Sequence, residues 1–374
     1  MRVFKFGGAS VRDANSIKKV GEIIKQYTDQ PLLVVISAMG KTTNYLERII
    51  FLSQNSKPYL NETDSVVSYH QKIANDLLSE PSKIAYAIQE FRNNISDGLR
   101  IKDHTYDQMY DLVVSQGEII STQILFAYLA ENGLSTEWID ARQFIKTDST
   151  FREAKVDWIE SEIRIQELRP LLENRILVTQ GFIASSNSQY PTTLGREGSD
   201  FSAAIFASCL GAESVTIWKD VPGVMSADPK RLPDATTFEE LPFKEAAEMT
   251  YYGASVIHPK TIKPLANKGI PLFVKNFDDV TLPGTQIHEC TVDNLPPLIV
   301  FKDDQCLISC QVTDYTFIEE SQIGIIFNAL SSKGLKVNLI QNSAISFSFC
   351  VDFREDKVIA LIKELGKHFE VYYN

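Results

Sequence analysis

Lys5-Phe6-Gly7-Gly8-Ala9-Ser10-Val11 gathers a cation, two adjacent glycines and a hydroxyl close to the start of the chain. Arg2-Val3-Phe4 before it reads as a short strand, and Ile17, Val20, Ile23, Ile24 and Tyr27 after it recur at helical spacing. The glycines therefore sit on a strand-to-helix turn. Without side chains there, backbone N–H groups can approach an anion closely, and the helix N-terminus adds a favourable dipole. A lysine ending the strand supplies a mobile point charge for phosphate oxygens. The order is neither that of a P-loop nor that of the G-x-G-x-x-G fingerprint. Taken alone, the same residues also describe a plain Gly-Gly turn beside a solvated lysine.

A second cluster, Thr193-Leu194-Gly195-Arg196-Glu197-Gly198-Ser199-Asp200, opens an apolar helix from Phe201 to Leu210. Ser199 or Asp200 suits the N-cap of that helix. Capping alone does not explain a loop with two glycines, an arginine and two acids. Arginine suits planar carboxylate recognition through its bidentate fork. An aspartate at a phosphate-accepting helix terminus repels the nucleotide unless it organises a lysine or a metal. Pairing Asp200 with Lys5 meets that need, so the two clusters imply one another.

Strand-like runs at 2–6, 32–37, 135–139, 175–180, 213–218 and 270–274 alternate with amphipathic helical stretches. That alternation predicts an α/β fold with a doubly wound, mainly parallel sheet. Ligands bind outside the carboxyl ends of such strands, where Lys5, Ser37 and Asp220 fall. From about 42 to 132 the chain is helical, and 106–131 reads as one long helix carrying Glu118 between apolar neighbours. By position alone Glu118 is a solvated acid on a polar face. Pro283-Gly284-Thr285 and Leu295-Pro296-Pro297 mark a boundary. Beyond it Cys306–Val312, 323–333, 336–341, Phe347–Asp352, 357–368 and 369–372 spell the ferredoxin-like order β-α-β-β-α-β.

A chain of 374 residues is long enough to bury a large core, and 44% hydrophobic with 23% charged content is ordinary for a globular protein. A dispersed net charge of −11 disfavours nucleic-acid binding, so a nucleotide must find its positive field locally. Cys209, Cys290, Cys306, Cys310 and Cys350 are odd in number and lack CxxC spacing, which favours free thiols. No apolar run approaches membrane-spanning length, and residues 1–20 lack a signal-peptide core. The expectation is a cytoplasmic protein with no membrane partner.

The Lys5–Val11 turn, the run Val35-Ile36-Ser37-Ala38-Met39-Gly40-Lys41-Thr42-Thr43-Asn44, Ser115-Gln116-Gly117-Glu118 and Thr193–Asp200 together resemble aspartate kinases of the amino acid kinase superfamily. Trp218-Lys219-Asp220-Val221-Pro222-Gly223 and Gly253-Ala254-Ser255-Val256-Ile257-His258-Pro259 extend the resemblance, in collinear order, to about residue 290. It implies transfer of the γ-phosphoryl of ATP to the β-carboxylate of L-aspartate, the opening step toward lysine, threonine and methionine. A carboxylate needs no general base, so catalysis would be positioning plus charge neutralisation.

By resemblance, Lys5 bridges the phosphates, Gly7, Gly8 and Ser10 cradle them, and Asp200 holds Lys5. Ser37, Thr43 and Ser199 would orient the acceptor carboxylate. Arg196 would clamp the α-carboxylate, Glu118 would pair with the α-ammonium, and Phe182 would line the pocket; the plainer alternative pairs Arg196 with Glu118. Lys219, Asp220, Met225, Lys230, Ser255 and Val256 match the nucleotide loop. Ala9, Met225 and Ser255 depart from the commoner threonine, tyrosine and lysine, with Lys260 as a possible substitute for the last. No His/Cys cluster suggests a protein-held metal; magnesium would arrive on ATP. His258 reads as a packing or turn residue.

The resemblance also implies a catalytic domain at 1–294 and an ACT-type regulatory module at 295–374, with 298–302 as the opening strand of a second module whose remainder is absent. A lysine-sensitive relative carries an acid where Asn338 stands, which implies weak or no lysine inhibition. Unpaired strand edges imply a homodimer built through 298–374. The competing readings are a kinase for another small molecule and a catalytically weak amino-acid sensor.

Overall fold

Four of the five residues of Arg2–Phe6 and all five of Leu32–Ile36 are buried, as strands covered on both faces must be. Their side chains alternate between two cores, following the period of two. Val3, Leu33 and Val35 pack with Ala203, Phe206, Ile262 and Leu265. Phe4, Phe6, Val34 and Ile36 pack with Ile17, Val20, Leu46 and Leu125. The computed structural model describes residues 1–253, 257–293, 295–312 and 317–374, which divide into compact units Met1–Ile299 and Val300–Asn374.

In the first unit one eight-stranded sheet runs Thr136–Trp138, Ile176–Gln180, Leu32–Ile36, Arg2–Phe6, Ser214–Lys219, Leu272–Asn276, Thr285–His288, Glu240–Pro242. All neighbours are parallel except the pair Leu272–Asn276 and Thr285–His288. Phe6 lies opposite both Ile36 and Trp218, and Ile36 lies opposite Gln180. The loops that leave these four strands therefore open at one edge, where ligands of such sheets bind. A small sheet of Lys146–Thr147, Ile183–Ser186 and Pro191–Thr193 adds a wall beside it.

Two expectations change in the helical region. The stretch read as one helix is two, Tyr106–Val114 and Gln116–Glu131, meeting at Ser115. Ser115 Oγ donates to Leu112 O at 2.9 Å, a local bond that competes with the helical ladder. The combined stretch Tyr106–Glu131 is also long and apolar enough to cross a membrane by length and composition, contrary to the sequence expectation. Asp111, Gln116 and Glu118 interrupt its apolar residues, so no unbroken run announces it. Within its most apolar window 67% is buried inside the protein, where it serves as core.

In the second unit Val337–Asn342, Ser346–Asp352, Gln305–Gln311 and Glu370–Tyr373 form an antiparallel sheet in that order. Helices Glu320–Ser332 and Glu355–Leu365 cover one face around Ile308, Phe349 and Leu361. This is the ferredoxin-like arrangement. Residues 298–302, expected as an opening strand, form no ladder. Ile299 N–H donates instead to Ser226 O at 2.8 Å, and Leu295 packs on the first unit's core. Those contacts place the division at Ile299 and Val300 rather than before Leu295.

Candidate active site

The glycine turn is closed by backbone contacts between loops. Ser10 N–H donates to Gly7 O, Gly40 N–H to Gly8 O (both 3.0 Å), and Ser37 N–H to Phe6 O at 3.1 Å. A Cβ on Gly8 would lie 2.8 Å from Ala38 O and 2.9 Å from Gly40 O. Both atoms are backbone, so only glycine fits where the first and second loops touch. Ser10 is buried within the 3-10 turn Gly8–Val11.

At the carboxyl end of Arg2–Phe6, Lys5 Nζ lies 2.6 Å from Asp200 Oδ1. Lys219, ending Ser214–Lys219, places Nζ 3.4 Å from Asp200 Oδ2 and 3.9 Å from Glu197. Asp200 is fully buried. Burial works to raise its carboxyl, but Lys5 and Lys219 more than offset this and hold it below the ordinary value. Burial raises the Glu197 carboxyl, with Lys219 pulling the other way and Asp200 adding repulsion. The helix runs Gly198–Leu210, so neither Ser199 nor Asp200 is its N-cap. The cap is Glu197, at φ +54° with no side-chain capping bond. Starting at Gly198, three residues before Phe201, sets Asp200 in the first turn, turned inward to the lysines rather than outward to cap.

Glu118 is 2% exposed, not a solvated acid. Its Oε1 accepts from Ala38 N–H at 3.4 Å, while buried Oε2 has no partner. Burial drives its carboxyl up to about 8. Phe182 stands at φ +69°, pinned by its N–H to Ser202 Oγ and by Leu194 N–H to its carbonyl, both 2.9 Å. A Cβ on Gly198 would strike the Phe182 ring at 2.6 Å, and one on Gly181 would strike Ser199 at 2.5 Å.

The structure brings Lys5, Gly8, Ser37, Thr43, Glu118, Phe182, Ser199 and Asp200 to one cavity of about 280 Å³. Arg196 lines an adjoining cavity of about 490 Å³ that shares Thr43, Phe182 and Gly195 with the first. Among the described residues no ion pair joins Arg196 to Glu118. Gly7 sits beside Lys5, where an added Cβ would lie 3.5 Å from Nζ. Asp220 and Lys230 are exposed and Met225 is half-buried, bridged to Thr237; none of the three lines the 280 Å³ cavity. Ser255 and Val256 lie outside the described residues. Lys260 lines a separate cleft with Trp158 and Phe201. His258 caps Pro259–Lys268, its Nδ1 accepting from Lys260 N–H at 3.2 Å.

The sequence reading assigned no site role to Ala38, Gly40, Gly195, Glu197 and Gly198, which also line the first cavity. Their signal was present in the quoted motifs, but lining is set by backbone direction. Gly40, Gly195 and Glu197 all have positive φ, which spacing does not disclose.

A family model described as the amino acid kinase family matches residues 1–276. The lysine-sensitive aspartokinase 3 of Escherichia coli is 32% identical over 359 residues, spanning 94% of this chain and 78% of that protein. The chloroplastic bifunctional aspartokinase/homoserine dehydrogenase 2 of Arabidopsis thaliana is 33% identical over 382 residues. That match spans 98% of this chain but 42% of the plant protein, so the chain is under half the length of such bifunctional relatives. The solved structure of E. coli aspartokinase III with aspartate and ADP superposes with a TM-score of 0.86 at 29% identity, covering 100% of this chain and 85% of that one.

Proposed function

The chain belongs to the amino acid kinase family, on its aspartokinase branch, and from that membership we propose that it transfers the γ-phosphoryl group of ATP to the β-carboxylate of L-aspartate. The observation that carries the reading is a single cavity lined both by the Lys5–Asp200 pair and by Glu118, one of whose buried carboxyl oxygens has no partner. A free amino acid offers three groups to such a site. Its ammonium meets Glu118, its α-carboxylate meets Arg196 across the shared wall, and its β-carboxylate reaches Ser37, Thr43 and Ser199.

The attacking carboxylate is ionised at neutral pH and needs no base. The residues supply alignment and charge compensation, the main requirements of phosphoryl transfer. Gly7 and Gly8 let backbone N–H groups approach the phosphates, and Lys5, held by Asp200, neutralises charge on the moving group. Lys219, Asp220, Met225 and Lys230 belong to the nucleotide side. Both Asp200 oxygens already face lysines, so magnesium would take its ligands from phosphate and water oxygens. It would supply charge neutralisation on the nucleotide.

Incubation with ATP, magnesium, aspartate and hydroxylamine should yield aspartyl hydroxamate. A folded protein at high concentration that yields none would overturn the reading.

The second unit we read as an ACT-type regulatory module. Asn338 Nδ2 donates to Gln305 Oε1 and to Asp352 Oδ1, both at 2.7 Å, and carries no charge with which to meet a lysine ammonium. The edge strand Val337–Asn342 leaves Leu339 and Ile340 about half exposed, a surface suited to pairing with a second copy. Lysine titrated into the assay should inhibit weakly or not at all, and light scattering should give the mass of a dimer. Submillimolar lysine inhibition would refute the first expectation and a stable monomer the second.

A further inference from the structure

Arg152 stands at φ +68°, a left-handed conformation that costs a non-glycine residue roughly 1–2 kcal/mol and persists only where the surroundings enforce it. The enforcing group is Asp111, fully buried on Tyr106–Val114. Its carboxylate accepts from Arg152 N–H and Thr193 N–H, both at 2.9 Å, and from Thr193 Oγ1 at 2.7 Å. One buried acid thus ties the Arg152 backbone to the strand that leads into the Gly195-Arg196 loop.

The half-exposed side chain has partners of its own. Its guanidinium carbon sits 4.4 Å from the Tyr110 ring centroid, within cation–π range. Tyr110 is fixed in turn by its hydroxyl, which donates to Glu47 Oε1 at 2.6 Å. Asp107 takes one nitrogen at 3.4 Å. A guanidinium has five N–H donors, and neither the ring face nor one carboxylate oxygen uses up that set. Arg152 lines the 490 Å³ cavity together with Arg196 and Thr43, and besides Asp107 the only acid among that lining is Glu153. That cavity shares Thr43, Phe182 and Gly195 with the one lined by Lys5 and Glu118.

We propose that Arg152 is a second anion-reading residue of the acceptor site, donating beside Arg196 to the acceptor's α-carboxylate and so strengthening the hold on an amino acid over an amine. The inference rests on the aspartate-kinase reading and adds an anchor to its acceptor site. With its backbone set and its guanidinium against Tyr110 before the acceptor arrives, Arg152 loses less freedom on binding than an unsupported surface arginine.

The test is Arg152→Gly, because glycine accepts the left-handed backbone and the variant keeps its fold, checked by thermal melting. The KM for aspartate should rise about five- to tenfold with kcat within twofold and the KM for ATP unchanged. Added salt should weaken aspartate binding less in the variant than in the wild type. Arg152→Lys, which restores charge without the planar fork, should recover part of the loss. Aspartate affinity is measured in parallel by calorimetry, which does not depend on turnover. If the wild type phosphorylates aspartate while Arg152→Gly matches it in affinity and salt dependence, the inference alone falls. A wild type that binds aspartate without phosphorylating it removes the kinase reading, and the variant's weaker binding still upholds the role of Arg152. A wild type that binds no aspartate overturns both.

Discussion

Lys5→Met should lower kcat for aspartate phosphorylation by roughly 100- to 1000-fold while moving the aspartate KM only a few fold. The ammonium group counts most when charge shifts onto the transferring phosphoryl group, and one preorganised group at that point is worth about 3–4 kcal/mol. The same substitution has a structural cost, because Asp200 is fully buried and loses its 2.6 Å partner. Removing one member of a buried pair destabilises by about 3–5 kcal/mol, less here because Lys219 stays 3.4 Å away. Adding Asp200→Asn removes the uncompensated charge. The double variant should therefore regain melting temperature without regaining kcat. Asp200 titrates below its ordinary value in the fold, so it stabilises above the carboxylate range and loses that contribution as pH falls into it. Acid sensitivity should shrink in the double variant. A single variant that keeps kcat within tenfold of wild type would remove Lys5 from the chemistry.

The pairing of Lys5 with Asp200, 195 positions apart, was legible in the sequence because each residue is unsatisfactory alone. A phosphate-turn lysine needs an orienting acid, and a helix-terminal aspartate needs a cation. The parallel sheet was legible in the same way, since its strands are apolar runs separated by amphipathic helices. Glu118 was not. Apolar residues are spread around the whole of Gln116–Glu131, so periodicity assigns Glu118 no face, and only packing against Ala38 shows that it is buried. The Ser115 break escaped for a similar reason, because the apolar pattern runs through it and one side-chain bond decides the boundary. Arg152 carried no signal at all. Its role depends on a left-handed backbone and on Asp111 reaching across to two distant segments.

Glu118 gives the other large effect, and it is a pH effect. With its carboxyl raised to about 8 by burial, Glu118 holds a proton at neutral pH until an ammonium group arrives. Pairing with the acceptor ionises it, so below pH 8 each aspartate bound releases one proton. The aspartate KM should then fall by up to about tenfold per pH unit from 6 to 8 and level off above. Calorimetry in buffers of different ionisation enthalpy should register the released proton. Glu118→Gln keeps the shape but cannot carry charge. Above pH 8 its aspartate KM should be roughly 10- to 100-fold higher than wild type, the cost of losing a charge-assisted bond, and it should be flat from pH 6 to 8. Stability moves the opposite way. A carboxyl whose folded value lies above its unfolded value binds a proton that the unfolded chain releases, so the native state loses stability as pH rises from about 4.5 to 8. The variant lacks this penalty, and its melting temperature should gain on wild type through that range and hold the gain above it. A wild-type KM that is flat from pH 6 to 8, or a variant KM within threefold of wild type above pH 8, would show that the buried carboxylate does not meet the acceptor's ammonium.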